Sequence, residues 1–242
     1  MIRSVFLFIG LILLLSSHAI VDTPEEHTVT HLSQPVEINS IWNKAPWKSI
    51  PPLTVNHYMG DRPEHQPEVQ AKVVYDEEAI YVIFRVKDRY VRCVTEQYQG
   101  SVYKDSCIEF FFTPAADISL GYFNLEMNCI GTALFKFHDT LNDSLIEVSE
   151  SDFDQVEVAH SVSSPVTDEI QEPTTWTVEY RIPFSILNKY VNLTQPAPGV
   201  EWKANFYKIA NDSSHPHWLT WSKVDLPKPD FHRPEFFGTL KF

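Results

Sequence analysis

The sequence predicts an all-β fold, most simply an antiparallel β-sandwich or jelly roll, and three observations carry that prediction. Several segments alternate apolar and polar residues with a period of two, and one run is apolar throughout. No window longer than about ten residues carries a helical stripe, short of the length at which a helix is credible alone. The first alternating segment sets Ile80, Val82, Phe84 and Val86 against Tyr81, Ile83, Arg85 and Lys87, and reads as a half-buried strand. Residues 107–113, CIEFFFT, are the apolar run and read as a central strand. Phe123, Leu125, Met127 and Cys129 then alternate with Tyr122, Asn124, Glu126 and Asn128. Trp176, Val178, Tyr180 and Ile182 alternate in the same way with Thr177, Glu179 and Arg181. Turn-rich pieces at 61–67 and 114–121 and an acidic stretch at 139–157 separate these strands. Residues 183–190 could form one short helix, with proline in its first turn.

The N-terminus reads as a secretory signal over residues 1–19. Arg3 makes a basic start, Val5 to Leu15 is apolar, and Ser17 and Ala19 are the small residues a signal peptidase reads. The run is too short and too weakly flanked for a membrane span, and no cysteine near the cleavage point suggests a lipid anchor. The expectation is an exported protein, periplasmic or extracellular, whose residues 20–242 form one domain without linker or repeat. Losing Arg3 and no acid moves the formal charge from −13 to −14. That balance argues against nucleic acid and anionic membranes, which want a basic face. Cys93, Cys107 and Cys129 form no CxxC, so zinc and covalent haem lack support. At most one pair could close as a disulfide in an oxidising compartment; which pair is open, and buried free thiols fit equally. Sequons at Asn142, Asn192 and Asn211 would matter only in a eukaryotic secretory route.

Residues 215–242 are the densest in chemistry. They hold Trp218 and Trp221, four phenylalanines including Phe231, His215, His217 and His232, and Arg233 beside Glu235. Pro216, Pro227, Pro229 and Pro234 exclude a helix or a long central strand across most of the segment. Large aromatics are often core, yet flat rings edged by hydrogen-bonding groups also match the face of a sugar. Catalytic signatures are sparse: there is no GxSxG, no HExxH and no glycine-rich phosphate loop. Glu109 and Glu126 lie on successive predicted strands, and a hairpin register that sets them opposite would place them side by side on one polar face. Such a pair could hydrolyse a glycoside, or could simply accept hydrogen bonds from sugar hydroxyls. The acidic loops could hold calcium, although no contiguous DxDxDG loop supplies a ligand set.

Several pieces together resemble the family 9 carbohydrate-binding modules and their relatives in the DOMON-like superfamily. In order they are INSIWNKAPW, AKVVYDEEAIYVIFRVKD, VYKDSCIEFFFTP, TWTVEYRIPF, EWKANFYKIAND and LTWSKVDLPKPDFHRPEFFGTLKF, spanning residues 36–242. The resemblance implies a β-sandwich whose sheet and loops carry a sugar site, with two rings enclosing one terminal sugar. The first ring would be Tyr103, six residues before Glu109, and the second Phe231, seven before Gly238. Both positions are usually tryptophan in sugar-binding members. Asn124 or Glu126 would supply polar contacts on the next strand, and Asn211 matches a further polar position loosely. Trp221 fits packing or ligand, Trp218, His232 and Arg233 belong to the aromatic loop, and Trp42 and Trp47 read as structural. The implied function is non-catalytic carbohydrate binding, alone or beside polysaccharide-degrading enzymes in carbohydrate catabolism. Two alternatives stand beside it. One is a DOMON-type haem domain, for which Met59 and Met127 are the only methionines beyond the signal. The other is a glycoside hydrolase using Glu109 and Glu126.

Overall fold

The computed structural model describes residues 24–242, so the secretory signal expected at 1–19 lies outside the described residues. The long strands are β1 (Glu68–Tyr75), β2 (Ala79–Asp88), β3 (Cys107–Thr113), β4 (Tyr122–Asn128), β5 (Ala133–Asp139), β6 (Thr174–Pro183) and β7 (Glu201–Ile209). They form two sheets. The first runs Glu26–Thr28, Gly238–Lys241, β7, β3, β4, β5, Ser144–Glu147, with Trp218–Thr220 beside the end of β7. The second runs Glu157–His160, β6, β2, β1, Thr30–His31. All pairings between long strands are antiparallel; the short N-terminal pieces add parallel edges to Gly238–Lys241 and to β1. Among the described residues no helix is long and apolar enough to cross a membrane.

The two sheets meet through alternate side chains, as sandwich packing requires. Phe110 and Phe112 of β3, Phe123, Leu125 and Met127 of β4, and Phe206 of β7 pack with Val82 and Phe84 of β2 and Val178 of β6. The alternation expected of β4 is therefore met, with Asn124 and Glu126 on the face turned from the core. Strand β2 differs from its half-buried expectation, because Tyr81 and Ile83 are also fully buried. The reason is a cover over that sheet's outer face, where Trp42, Trp47 and Ile50 cluster with Tyr81 and Ile83. Trp47 is pinned there by its indole N–H, which donates to Glu179 Oε1 at 2.7 Å. Trp42 and Trp47 are thus packing residues.

Two other expectations change in detail. The helix at 183–190 is a single turn, Phe184–Leu187, because Pro183 ends β6 and serves as its N-cap. The acidic stretch at 139–157 contains the edge strand Ser144–Glu147 and a helical turn, Glu150–Phe153, whose cap Ser149 accepts from the Asp152 N–H. An edge strand exposed along its whole length has no burial alternation to betray it. Cys93, Cys107 and Cys129 are free and buried. Residues 222–233 carry no regular structure, as their prolines require, and cross the outer face of the first sheet near its middle.

Candidate functional site

Antiparallel register builds the site row by row on the outer face of the first sheet. Tyr207 of β7 lies opposite Glu109 of β3, Glu109 opposite Glu126 of β4, and Glu126 opposite Leu134 of β5. The next row runs Asn205, Phe111, Asn124, Lys136. The two glutamates are therefore direct cross-strand neighbours, with Cβ atoms roughly 5 Å apart by strand geometry.

Loops wall this row into a cavity of about 390 Å³. One wall is the C-terminal loop, where Phe231 stacks on Tyr207 at 4.2 Å between centroids and accepts the Tyr207 hydroxyl at its carbonyl, 3.2 Å away. His232 Nδ1 meets the Tyr122 hydroxyl at 2.9 Å, which fixes the same loop to β4. A second wall is the turn Val102–Lys104, whose Tyr103 ring is 37% exposed. Trp218, paired with Ile209 at the end of β7, and Leu145 of the edge strand complete the rim. Rings, a carboxyl pair and an amide thus converge on one space, the usual makeup of a small-molecule site.

The polar groups on the floor are ordered by one another. His138 Nε2 sits 3.0 Å from Asn124 Oδ1, and Asn124 Nδ2 donates to Glu126 Oε1 at 2.9 Å. Burial pushes His138 down to about 4, so its ring is neutral; with Nε2 as the donor, the chain His138 to Asn124 to Glu126 is consistent in every hydrogen. Glu126 is only 5% exposed, and its second oxygen, Oε2, is buried without a hydrogen-bond partner. Glu109 is 2% exposed and has neither a hydrogen bond nor an ion pair among the described residues. Burial pushes Glu109 well above the ordinary carboxylate range, and the neighbouring Glu126 adds to this. Burial likewise raises Glu126 to about 7, against the Asn124 hydrogen bond and the charge of Lys136.

The burial of Glu126 has a measurable consequence for stability. A carboxyl at about 7 when folded, against its ordinary 4.5, holds its proton more tightly folded than unfolded. Stability is then full below pH 4.5 and falls as pH rises toward 7, by on the order of 2–3 kcal/mol. Glu126→Gln removes this titration. Its melting temperature should exceed that of the natural protein by several degrees at pH 8 and match it at pH 4.5; equal melting at both pH values would contradict the burial argument.

The expected site residues divide in two. Tyr103, Glu109, Asn124, Glu126, Trp218, Phe231 and His232 line the one cavity. Trp221, Asn211 and Arg233 do not. Trp221 is buried between the sheets, edge-on to Phe206. Asn211 holds the Tyr103 turn from behind, its N–H donating to the Tyr103 carbonyl at 3.2 Å. Arg233 turns to Asp230, 2.7 Å away. His215 and His217 lie apart from His232: His215 stacks on Tyr90, and His217 Nε2 accepts from the buried Lys208 ammonium at 2.8 Å. Lys136, His138 and Tyr207 are cavity-face residues that sequence reasoning missed, although the alternation of residues 133–139 carried the signal for the first two. Met59 and Met127 fall in separate apolar clusters. Among the described residues no group of His, Cys, Asp or Glu is arranged to hold a metal ion.

Comparison with known proteins agrees with this fold. A carbohydrate-binding protein candidate from Bacteroides uniformis ATCC 8492, known from its crystal structure, is 26% identical, with a TM-score of 0.81 over 91% of this chain and 100% of its own. A carbohydrate-binding module of family 9 from Caldicellulosiruptor kristjanssonii, in complex with glucose, is 16% identical, with a TM-score of 0.61 over 90% of this chain and 95% of its own. The same module in complex with cellotriose gives 16% identity and a TM-score of 0.61 over 90% and 93% of the two chains. No curated protein matches the sequence. The model of carbohydrate-binding family 9 matches residues 41–242, and the chain belongs to that family.

Proposed function

We propose that this is an exported, non-catalytic carbohydrate-binding protein that takes one sugar unit into the cavity over Glu109 and Glu126. The observation that carries the reading is the pair itself. The Glu109 carboxyl and Oε2 of Glu126 are buried and lack answering donors, inside a cavity edged by Tyr103 and Trp218. Adjacent sugar hydroxyls can donate to the two carboxyl groups, while an apolar C–H face lies against a ring. Buried acceptors left unpaired cost free energy, so a donor-rich ligand gains by filling them.

The same geometry speaks for binding rather than hydrolysis. A glycosidase sets its two carboxyl groups on either side of the scissile bond. Here both rise from neighbouring strands of one sheet and stand side by side on one face. Family membership supports sugar recognition; export and service beside polysaccharide-degrading enzymes are part of the proposal. One sugar offers few contacts against the cost of association, so affinity should lie roughly between micromolar and millimolar.

A glycan array probed with the protein, with and without calcium, tests the reading. Hits sharing one terminal sugar, unchanged by a chelator, are the expected result. An array without hits, followed by no heat of binding to glucose or cellotriose at millimolar concentration, would overturn it.

A further inference from the structure

Other buried acids in this protein are answered by donors. Asp76 accepts from the N–H groups of Glu78 and Ala79 and from the Tyr81 hydroxyl. Asp105 accepts from the N–H groups of Val94 and Thr95 and from the Asn128 amide. Glu179 accepts from the N–H groups of Asn39 and Ser40 and from Trp47, and pairs with Lys44. Asp88 accepts at Oδ1 from His65 and from the N–H groups of Arg89 and Tyr90, and its Oδ2, buried without a hydrogen bond, lies 3.7 Å from the Lys208 ammonium. Glu109 and Glu126 Oε2 differ in having neither a hydrogen bond nor an ion pair, and they do so where the protein is hollow.

The nearby cations are engaged elsewhere. Lys136 lines the cavity but pairs with Glu147 at 3.2 Å. Lys208 lies on the core side of β7, where its ammonium is held by His217 and by the Ile209 carbonyl at 2.9 Å. The remaining titratable groups around the pair are Tyr103 on the turn Val102–Lys104, Cys107 on β3, Tyr207 on β7, His138 on β5, and Asp230 and His232 on the C-terminal loop. Burial depresses both histidines, so neither brings positive charge. The cavity therefore presents carboxyl oxygens with no counter-charge in contact with them, in a site screened from water, where a charge counts for more than in bulk solvent.

We propose that the carboxyl pair makes this cavity selective for a sugar bearing a protonated amine, such as a 2-amino-2-deoxyhexose, over its neutral parent and against sugars bearing carboxylate, sulfate or phosphate. An ammonium brings three donors and one positive charge, which suits Glu109 and Glu126 Oε2 together. A neutral sugar brings donors alone, and an acidic sugar brings a negative charge into a site that holds no counter-charge to receive it. Binding of the amine form ionises one carboxyl of the pair, whose proton goes to the solvent, whereas a neutral sugar binds without that release. The inference rests on the sugar-binding reading above and specifies its ligand class.

Isothermal titration of the protein at pH 7 with glucosamine, glucose, N-acetylglucosamine and glucuronate, in two buffers of different ionisation enthalpy, tests it. Glucosamine should bind at least tenfold more tightly than glucose or N-acetylglucosamine, with glucuronate weakest. Only glucosamine should release a proton to the buffer beyond any its own amine exchanges. Glu126→Gln should bring the glucosamine-to-glucose ratio toward one. Equal affinities in the natural protein, a preference for glucuronate, or a tenfold ratio retained in Glu126→Gln each overturns the selectivity while sugar binding stands. Failure of all four sugars to bind overturns both readings.

Discussion

Tyr103→Ala lowers affinity for the best-binding sugar at least tenfold, and Trp218→Ala does the same. Both rings line the cavity, and Tyr103 is the more open of the aromatic side chains there. Phe231 is only 7% exposed and already stacked on Tyr207, so much of its face is spent inside the protein. A ring that covers roughly 50–60 Å² of apolar sugar surface contributes about 1.4 kcal/mol, or one decade of affinity. Titration of each variant with the array hit checks this, with circular dichroism to confirm folding. Loss confined to Phe231→Ala, with both other variants unchanged, would move the stacking surface to the opposite wall.

Glu179→Leu is the most destabilising single change expected. Glu179 is fully buried and gathers the N–H groups of Asn39 and Ser40, the Trp47 indole and the Lys44 ammonium. Leucine would leave three donors unanswered and take the carboxylate partner from the Lys44 ammonium, which keeps only the Glu37 carbonyl and Asn39 Oδ1. Removing one partner of a buried, hydrogen-bonded pair costs about 3–5 kcal/mol. For a chain of this size that lowers the melting temperature by roughly 10 °C. A scan showing a drop under 3 °C would mean that the cover over β1 and β2 contributes little. Since Glu179 lies on the second sheet, the sugar affinity of any protein still folded should not change.

The contrast between Glu179 and the Glu109–Glu126 pair explains what the sequence could and could not disclose. Alternation along β4 sets Glu126 outward and Met127 inward, and the adjacent apolar run places Glu109 one strand away; their adjacency follows once a hairpin joins the strands. Tyr103 and Phe231 were legible through the family resemblance, by their spacing from Glu109 and from Gly238, and Trp218 through the aromatic density of residues 215–242. The covering of β2 was not legible, because the residues that bury Tyr81 and Ile83 come from a segment without periodicity some forty residues earlier. Nor was the place of Lys208, a lysine in a β-strand whose burial makes sense only beside Asp88 and His217, brought close by the fold. Trp221 and Trp218 sit three residues apart in sequence, yet one packs between the sheets and the other rims the cavity. Neither composition nor spacing separates them; pairing of residues 218–220 with the end of β7 does.

A crystal structure of the protein with its best array ligand tests whether the outer face of the first sheet receives the sugar at Glu109 and Glu126. One sugar unit is expected in the cavity, with hydroxyl or amine groups within hydrogen-bond distance of Glu109 and Glu126 Oε2 and a ring of Tyr103 or Trp218 against its face. A sugar bound elsewhere on the sandwich, with this cavity holding only water, would contradict it.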